Sequence, residues 1–110
     1  MMKMITAIVN KRDADAVCDA LTRGNFMFTK MATTGGFLRS GNTTLLIDTE
    51  DERVKKAVEI IRENCAQRME KVPSVISSAG PYAVFNYTTA ELPVGGATVF
   101  VTNVERFEKL

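Results

Sequence analysis

The chain predicts an α+β fold, an antiparallel sheet with two helices on one of its faces. Three observations carry that prediction. Four segments have strand composition, with short apolar or alternating runs rich in β-branched residues. Two segments repeat apolar residues at helical spacing. The two kinds follow one another as strand, helix, strand, strand, helix, long connection, strand. That order is the ferredoxin-like βαββαβ arrangement.

The first strand is read at 4–9, MITAIV, from its composition and short length. Asp13 follows as a candidate helix N-cap, because its carboxylate can accept an otherwise unpaired N–H of the first turn. Ala16, Val17, Ala20 and Leu21 then recur at helical spacing, and Gly24-Asn25 stops the run. From 26 to 33 the chain alternates, with Phe26, Phe28, Lys30 and Ala32 facing one way and Met27, Thr29 and Met31 the other. A third strand covers 43–49. Glu50-Asp51-Glu52 opens the second helix, placing acidic groups at the positive end of its dipole. Val54, Ala57, Val58, Ile61 and Cys65 form that helix's apolar face. From 69 to 94 the pattern blurs, and all three prolines fall there (Pro73, Pro81, Pro93). A connection this long in a small domain is usually functional or disordered. After the hinge Gly95-Gly96, the last strand is read at 97–101, and the tail 104–110 has room for one short helical turn. With both helices on one face, residues such as Phe28 and Phe100 are left on the other. Packing against copies of the chain is the economical way to cover them.

The totals narrow the function. The 110 residues suit one domain, 1–110. A chain of this size buries about two thirds of its unfolded surface, so association would enlarge a modest core. A net charge of +1 argues against a nucleic-acid polymer as partner, which normally calls for a strongly basic face. No apolar run approaches the ~20 residues of a membrane span. The start, MMKMITAIVN, is too short for one and no small-residue cleavage site follows it, so the expectation is a first strand in a cytoplasmic protein. The chain has no histidine, which excludes a Ser-His or Cys-His nucleophile. Cys18 and Cys65 sit at apolar-face positions and read as buried free thiols rather than a disulfide. No cofactor or metal site is expected. The acidic groups Asp13/Asp15 and Glu50/Asp51/Glu52 stand at helix starts, where capping accounts for them, so no enzyme activity is expected.

One stretch resists a structural explanation. In TTGGFLRSGNTT (33–44), turn residues account for Gly, Ser and Asn but not for Phe37 and Leu38 on a polar tip. ATTGGFLRSGNTT followed by VGGATVFV resembles the PII-like cyclic-di-AMP receptor family, and the resemblance covers nearly the whole chain. It implies a cytosolic PII-like homotrimer with the ferredoxin-like fold and no catalysis. It also implies a short loop between the second and third strands and a long one before the last. Cyclic di-AMP, or a related nucleotide, would bind in clefts between subunits, and the protein would relay occupancy to a protein partner whose identity the residues do not give.

Carried over position by position, the resemblance implies ligand contacts from Thr29, Gly36, Phe37, Leu38, Asn42 and Phe100. Backbone freed by glycine can approach phosphate oxygens, and Phe37 offers a ring face or edge to an adenine. The Asn42 amide both donates and accepts, as an adenine edge requires. Each residue also has a plainer reading. Thr29 can be a solvent-facing strand residue, Asn42 can hold a turn at positive φ, Phe100 can be core, and Phe37 can pack across a subunit boundary. Two positions depart from the family pattern. Met27 stands where Arg is usual, and Asp48 where Gly is common. Losing a charge-assisted contact costs about 1.5–3 kcal/mol, and a carboxylate near a dianionic ligand repels it. These departures favour a PII-like interaction module with weakened or no cyclic di-AMP binding, whereas the intact TTGGFLRSGNTT favours the receptor.

Overall fold

Alternation in MKMITAIVN sends Ile5, Ala7 and Val9 to one face of a strand and Met4, Thr6 and Ile8 to the other. The computed structural model, which describes residues 1–33, 41–76 and 86–110, makes this segment strand β1 (Met2–Asn10). Ile5, Ala7 and Val9 are wholly buried in it, while Met4, Thr6 and Ile8 are half-buried. Helix α1 (Ala14–Arg23), strand β2 (Met27–Thr33), strand β3 (Asn42–Glu50) and helix α2 (Val54–Cys65) follow. Next come strands β4 (Arg68–Ile76), β5 (Asn86–Val94) and β6 (Ala97–Asn103). Four strands form one antiparallel sheet in the order β2-β3-β1-β6, and among the described residues β4 pairs with β5 in a separate two-stranded ribbon. Helix α1 connects β1 to β2, which flank β3, and α2 with the ribbon connects β3 to β6, which flank β1, as the ferredoxin-like topology expects.

Both helices lie on the face that carries Ile5, Ala7, Val9, Leu45 and Ile47. From α1 they bury Ala14, Val17 and Leu21, and from α2 Ala57, Ile61 and Cys65. Ala16, expected on the apolar face of α1, is exposed, and Ala14 takes that duty. Burying side chains of the size of Leu21 and Ile61 contributes roughly 1.5–3 kcal/mol each. Cys65 is buried and Cys18 half-buried, both as free thiols. Burial pushes the Cys65 thiol up to about 11, and the nearby Asp13 carboxylate pushes the same way.

At the end of α1, Asn25 rather than Gly24 takes the left-handed conformation (φ 61°). A Cβ on Gly24 would lie 3.1 Å from both Ile60 Cδ1 and Phe26 Cδ2, so close packing asks for glycine there. Arg53 closes the same corner. Its Nη2 donates to Gly24 C=O at 2.6 Å, its Nη1 donates to Asn25 C=O at 3.2 Å, and its guanidinium stacks 4.0 Å from the Phe26 ring centre. A cation at a helix C-terminus is favoured by the helix dipole, and its stacking adds a cation–π term.

Several expectations are corrected. The acidic trio does not fall in the first turn of α2, because a 3₁₀ turn (Asp51–Arg53) precedes that helix. Phe28 lies opposite Ile47 and packs against the core, so it belongs to the helix-covered face with Phe26. The stretch that shows no period contains two nine-residue strands, β4 and β5, with 77–85 outside the described residues. The tail forms no helical turn. It leaves the sheet without regular secondary structure and bends at Glu105, with Val104 N–H donating to Met2 C=O at 3.1 Å. Among the described residues no helix is long and apolar enough to cross a membrane.

Candidate functional site

The face of the sheet away from the helices carries the candidate residues. Period 2 along each strand, combined with the register, arranges that face in rows across the sheet. One row runs Thr29, Leu46, Thr6, Phe100. The next runs Met27, Asp48, Met4, Thr102, and a third runs Met31, Thr44, Ile8, Thr98. Asn42 begins β3 at the end of the face nearest residues 34–40, opposite Asn10 and Thr33. Thus Thr29, Asn42, Phe100, Met27 and Asp48 share one surface. Gly36, Phe37 and Leu38 lie outside the described residues.

The surface is apolar and hydroxyl-rich. Met27 is 63% and Phe100 52% exposed, which removes Phe100 from the core of this protomer. Thr29 is exposed, and Asn42 and Asp48 are half-buried. The positive φ near Asn42 belongs to Gly41 (64°), so the turn does not depend on Asn42. Asp48 has no hydrogen-bond or ion-pair partner among the described residues, and it stands between the side chains of Met27 and Met4 in its row. The missed members are Leu46 and Thr6, which separate Thr29 from Phe100. Alternation in the first and third strands marks their face, but only the register puts them in that row.

The arrangement brings some residues together and keeps others apart. Met27 and Asp48 are direct cross-strand neighbours. Thr29 and Phe100 sit on opposite edge strands, three strand spacings or about 14 Å apart. Asn42 and Asp48 are six residues apart on one strand, about 20 Å. A single protomer therefore offers a broad face rather than a pocket closed by these groups. A groove on the opposite side of the sheet, between α2 and β6, is lined by Val58, Ile61, Gln67 and Val99 and by none of the candidate residues. Among the described residues no three His, Cys, Asp or Glu side chains are placed to hold a metal ion.

The fold has solved relatives. A functionally unknown protein from Pediococcus pentosaceus ATCC 25745 is 39% identical, with a TM-score of 0.77 over 99% of this chain and 97% of that one. The PII protein of Arabidopsis thaliana, solved bound to citrate, shares the fold at 16% identity and a TM-score of 0.59, over 94% of this chain and 74% of that one. The model of the cyclic-di-AMP receptor family matches residues 2–110, and the chain belongs to that family.

Proposed function

We propose that the chain is a PII-like signal receptor. It assembles as a homotrimer, binds cyclic di-AMP or a related nucleotide between subunits, and relays occupancy to a protein partner in the cytoplasm. One observation supports this above the rest. Thr29 and Phe100 share a row of the open face yet sit on its two opposite edges. One ligand can touch both kinds of group at short range only if the edge of one copy lies beside the edge of another. Family membership points to the ligand. The exposed Met27, Met31 and Phe100 supply apolar area for contact between copies. Thr29, Asn42 and Phe100 would contact the nucleotide, together with Gly36, Phe37 and Leu38. Catalysis has no part in this reading. Among the acidic groups, Asp13 is engaged by Arg68, and Asp51 and Glu52 lie in a 3₁₀ turn at the start of α2.

Calorimetric titration with cyclic di-AMP, alongside light scattering, tests it. The expectation is three copies per particle and one ligand per subunit boundary. A particle of one chain, 12.1 kDa, at micromolar concentration would defeat the proposal. A folded trimer that takes up no cyclic dinucleotide would leave a second reading, a PII-like interaction module. Asp48, which has no hydrogen-bond or ion-pair partner among the described residues, favours that second reading, because its carboxylate repels phosphates.

A further inference from the structure

Asp13 occupies the N-cap position of α1 but makes no capping hydrogen bond. Such a bond is the usual way to satisfy a free N–H of the first turn, so the carboxylate has been turned away from an available partner. It is buried, at 6% exposure, and faces Arg68. Arg68 Nη2 donates to Oδ1 at 3.1 Å, and Nη1 donates to Oδ2 at 3.5 Å. This fork-to-carboxylate geometry is more directional than a point-charge pair.

Arg68 is the first residue of β4 and pairs in register with Val94, the last residue of β5. The ion pair therefore grips the β4–β5 ribbon at its root. Directly beyond Val94 the chain turns through Gly95 and Gly96, both at positive φ (82° and 85°). A Cβ on Gly95 would lie 2.7 Å from Arg68 Nη1 and 3.0 Å from Ala66 C=O, so the guanidinium runs close over that turn. Gly96 N–H donates to Cys65 C=O at the end of α2. Among the described residues, the backbones of β4 and β5 lie close to each other and come near the other elements at only a few points. Their strands, nine residues each, reach about 30 Å from this root. With so few points of approach, their direction depends on the root.

The same short turn reaches the candidate site. Asp13 N–H donates to Asn10 C=O at 2.9 Å, and Lys11 N–H donates to Gly41 C=O at 3.2 Å. Gly41 directly precedes Asn42. We propose that the Asp13–Arg68 pair is a latch that fixes the direction of the β4–β5 ribbon and ties it, through residues 10–13, to the stem that carries Asn42. The latch does not depend on a bound nucleotide, so it stands or falls separately from the receptor reading.

Nuclear magnetic resonance on the free protein tests the latch with Asp13→Asn, Arg68→Met and the milder Arg68→Lys. In the parent, residual dipolar couplings of amides in 68–76 and 86–94 should fit the alignment of the four-stranded sheet. In Asp13→Asn and Arg68→Met they should shrink and need their own alignment, and Arg68→Lys should fall between. Amide exchange at Gly96 and Lys11 should rise about tenfold or more relative to Ile5 and Ile47, which report the core. Ribbon couplings that still fit the sheet in all variants would overturn the latch. So would an exchange increase shared equally by Ile5 and Ile47, which marks general loosening. An increase at Gly96 without one at Lys11 would overturn the tie to the Asn42 stem.

Discussion

Met27 and Asp48 meet across β2 and β3, and that contact makes a sharp prediction. Directly opposed residues in an antiparallel pair have their Cβ atoms about 5 Å apart, and opposite charges there contribute roughly 0.2–1 kcal/mol. Met27 is 63% exposed, so an introduced guanidinium stays well solvated and the value belongs in the middle of that range. Met27→Arg should therefore form a cross-strand ion pair with Asp48 instead of leaving a free cation for phosphates. A stability cycle of the parent, Met27→Arg, Asp48→Asn and the double variant should show a favourable coupling of about 0.5 kcal/mol. Urea unfolding at one fixed protein concentration measures it, because oligomer stability depends on concentration. At 1 M salt, where the screening length is about 3 Å, the coupling should largely vanish. Cyclic di-AMP affinity should follow the same logic. Met27→Arg alone should recover little of the roughly 1.5–3 kcal/mol that a charge-assisted contact can supply. Removing the Asp48 charge as well should release the guanidinium, so the double variant should gain more than the two single variants summed. No coupling at low salt, or a full affinity gain from Met27→Arg alone, would refute the reasoning.

Leu21→Ala should destabilise the fold by about 2–5 kcal/mol, because Leu21 is wholly buried between α1 and the sheet, and urea unfolding measures it. A loss under 1 kcal/mol would mean that the site collapses or that the helix packs elsewhere. Cys65 should give a loss of stability at high pH. Its thiol is pushed from an ordinary 9.0 up to about 11 in the fold, so the unfolded chain gives up this proton first. Its contribution should hold below pH 9 and fall between about 9 and 11, and comparison with Cys65→Ala across that window isolates it from other groups.

The layered part of the fold was legible because burial on one side imposes a period. Ile5-Ala7-Val9 and Leu45-Ile47 alternate, Ala57-Ile61-Cys65 repeat at helical spacing, and each pattern names its own face. The β4–β5 ribbon was not legible for the same reason. It lies outside the two layers, so no core face imposes alternation on it. Pro73 and Pro93 argue against strands only in a sheet interior, whereas both strands of a two-stranded ribbon have a free edge. Asp13 misled in another way. A carboxylate just before an apolar helical run reads as a cap, and its partner Arg68, 55 residues further on, leaves no local mark.

Period 2 sufficed to place Thr29 and Met27 on one strand face, but not to say that Asp48 lies across from Met27. That depends on register, because a shift of one residue moves every side chain to the other face, and a shift of two changes every neighbour. Read separately, Met27 and Asp48 are two independent departures whose costs add. Paired in register, they are one coupled unit, since an arginine at the first position would be neutralised by the carboxylate at the second. Restoring one without the other should therefore rebuild little of a phosphate site. Once Asp48 is present, an arginine across the strand has lost much of its use to a phosphate ligand, and the exposed Met27 instead offers adaptable apolar surface to whatever covers this face.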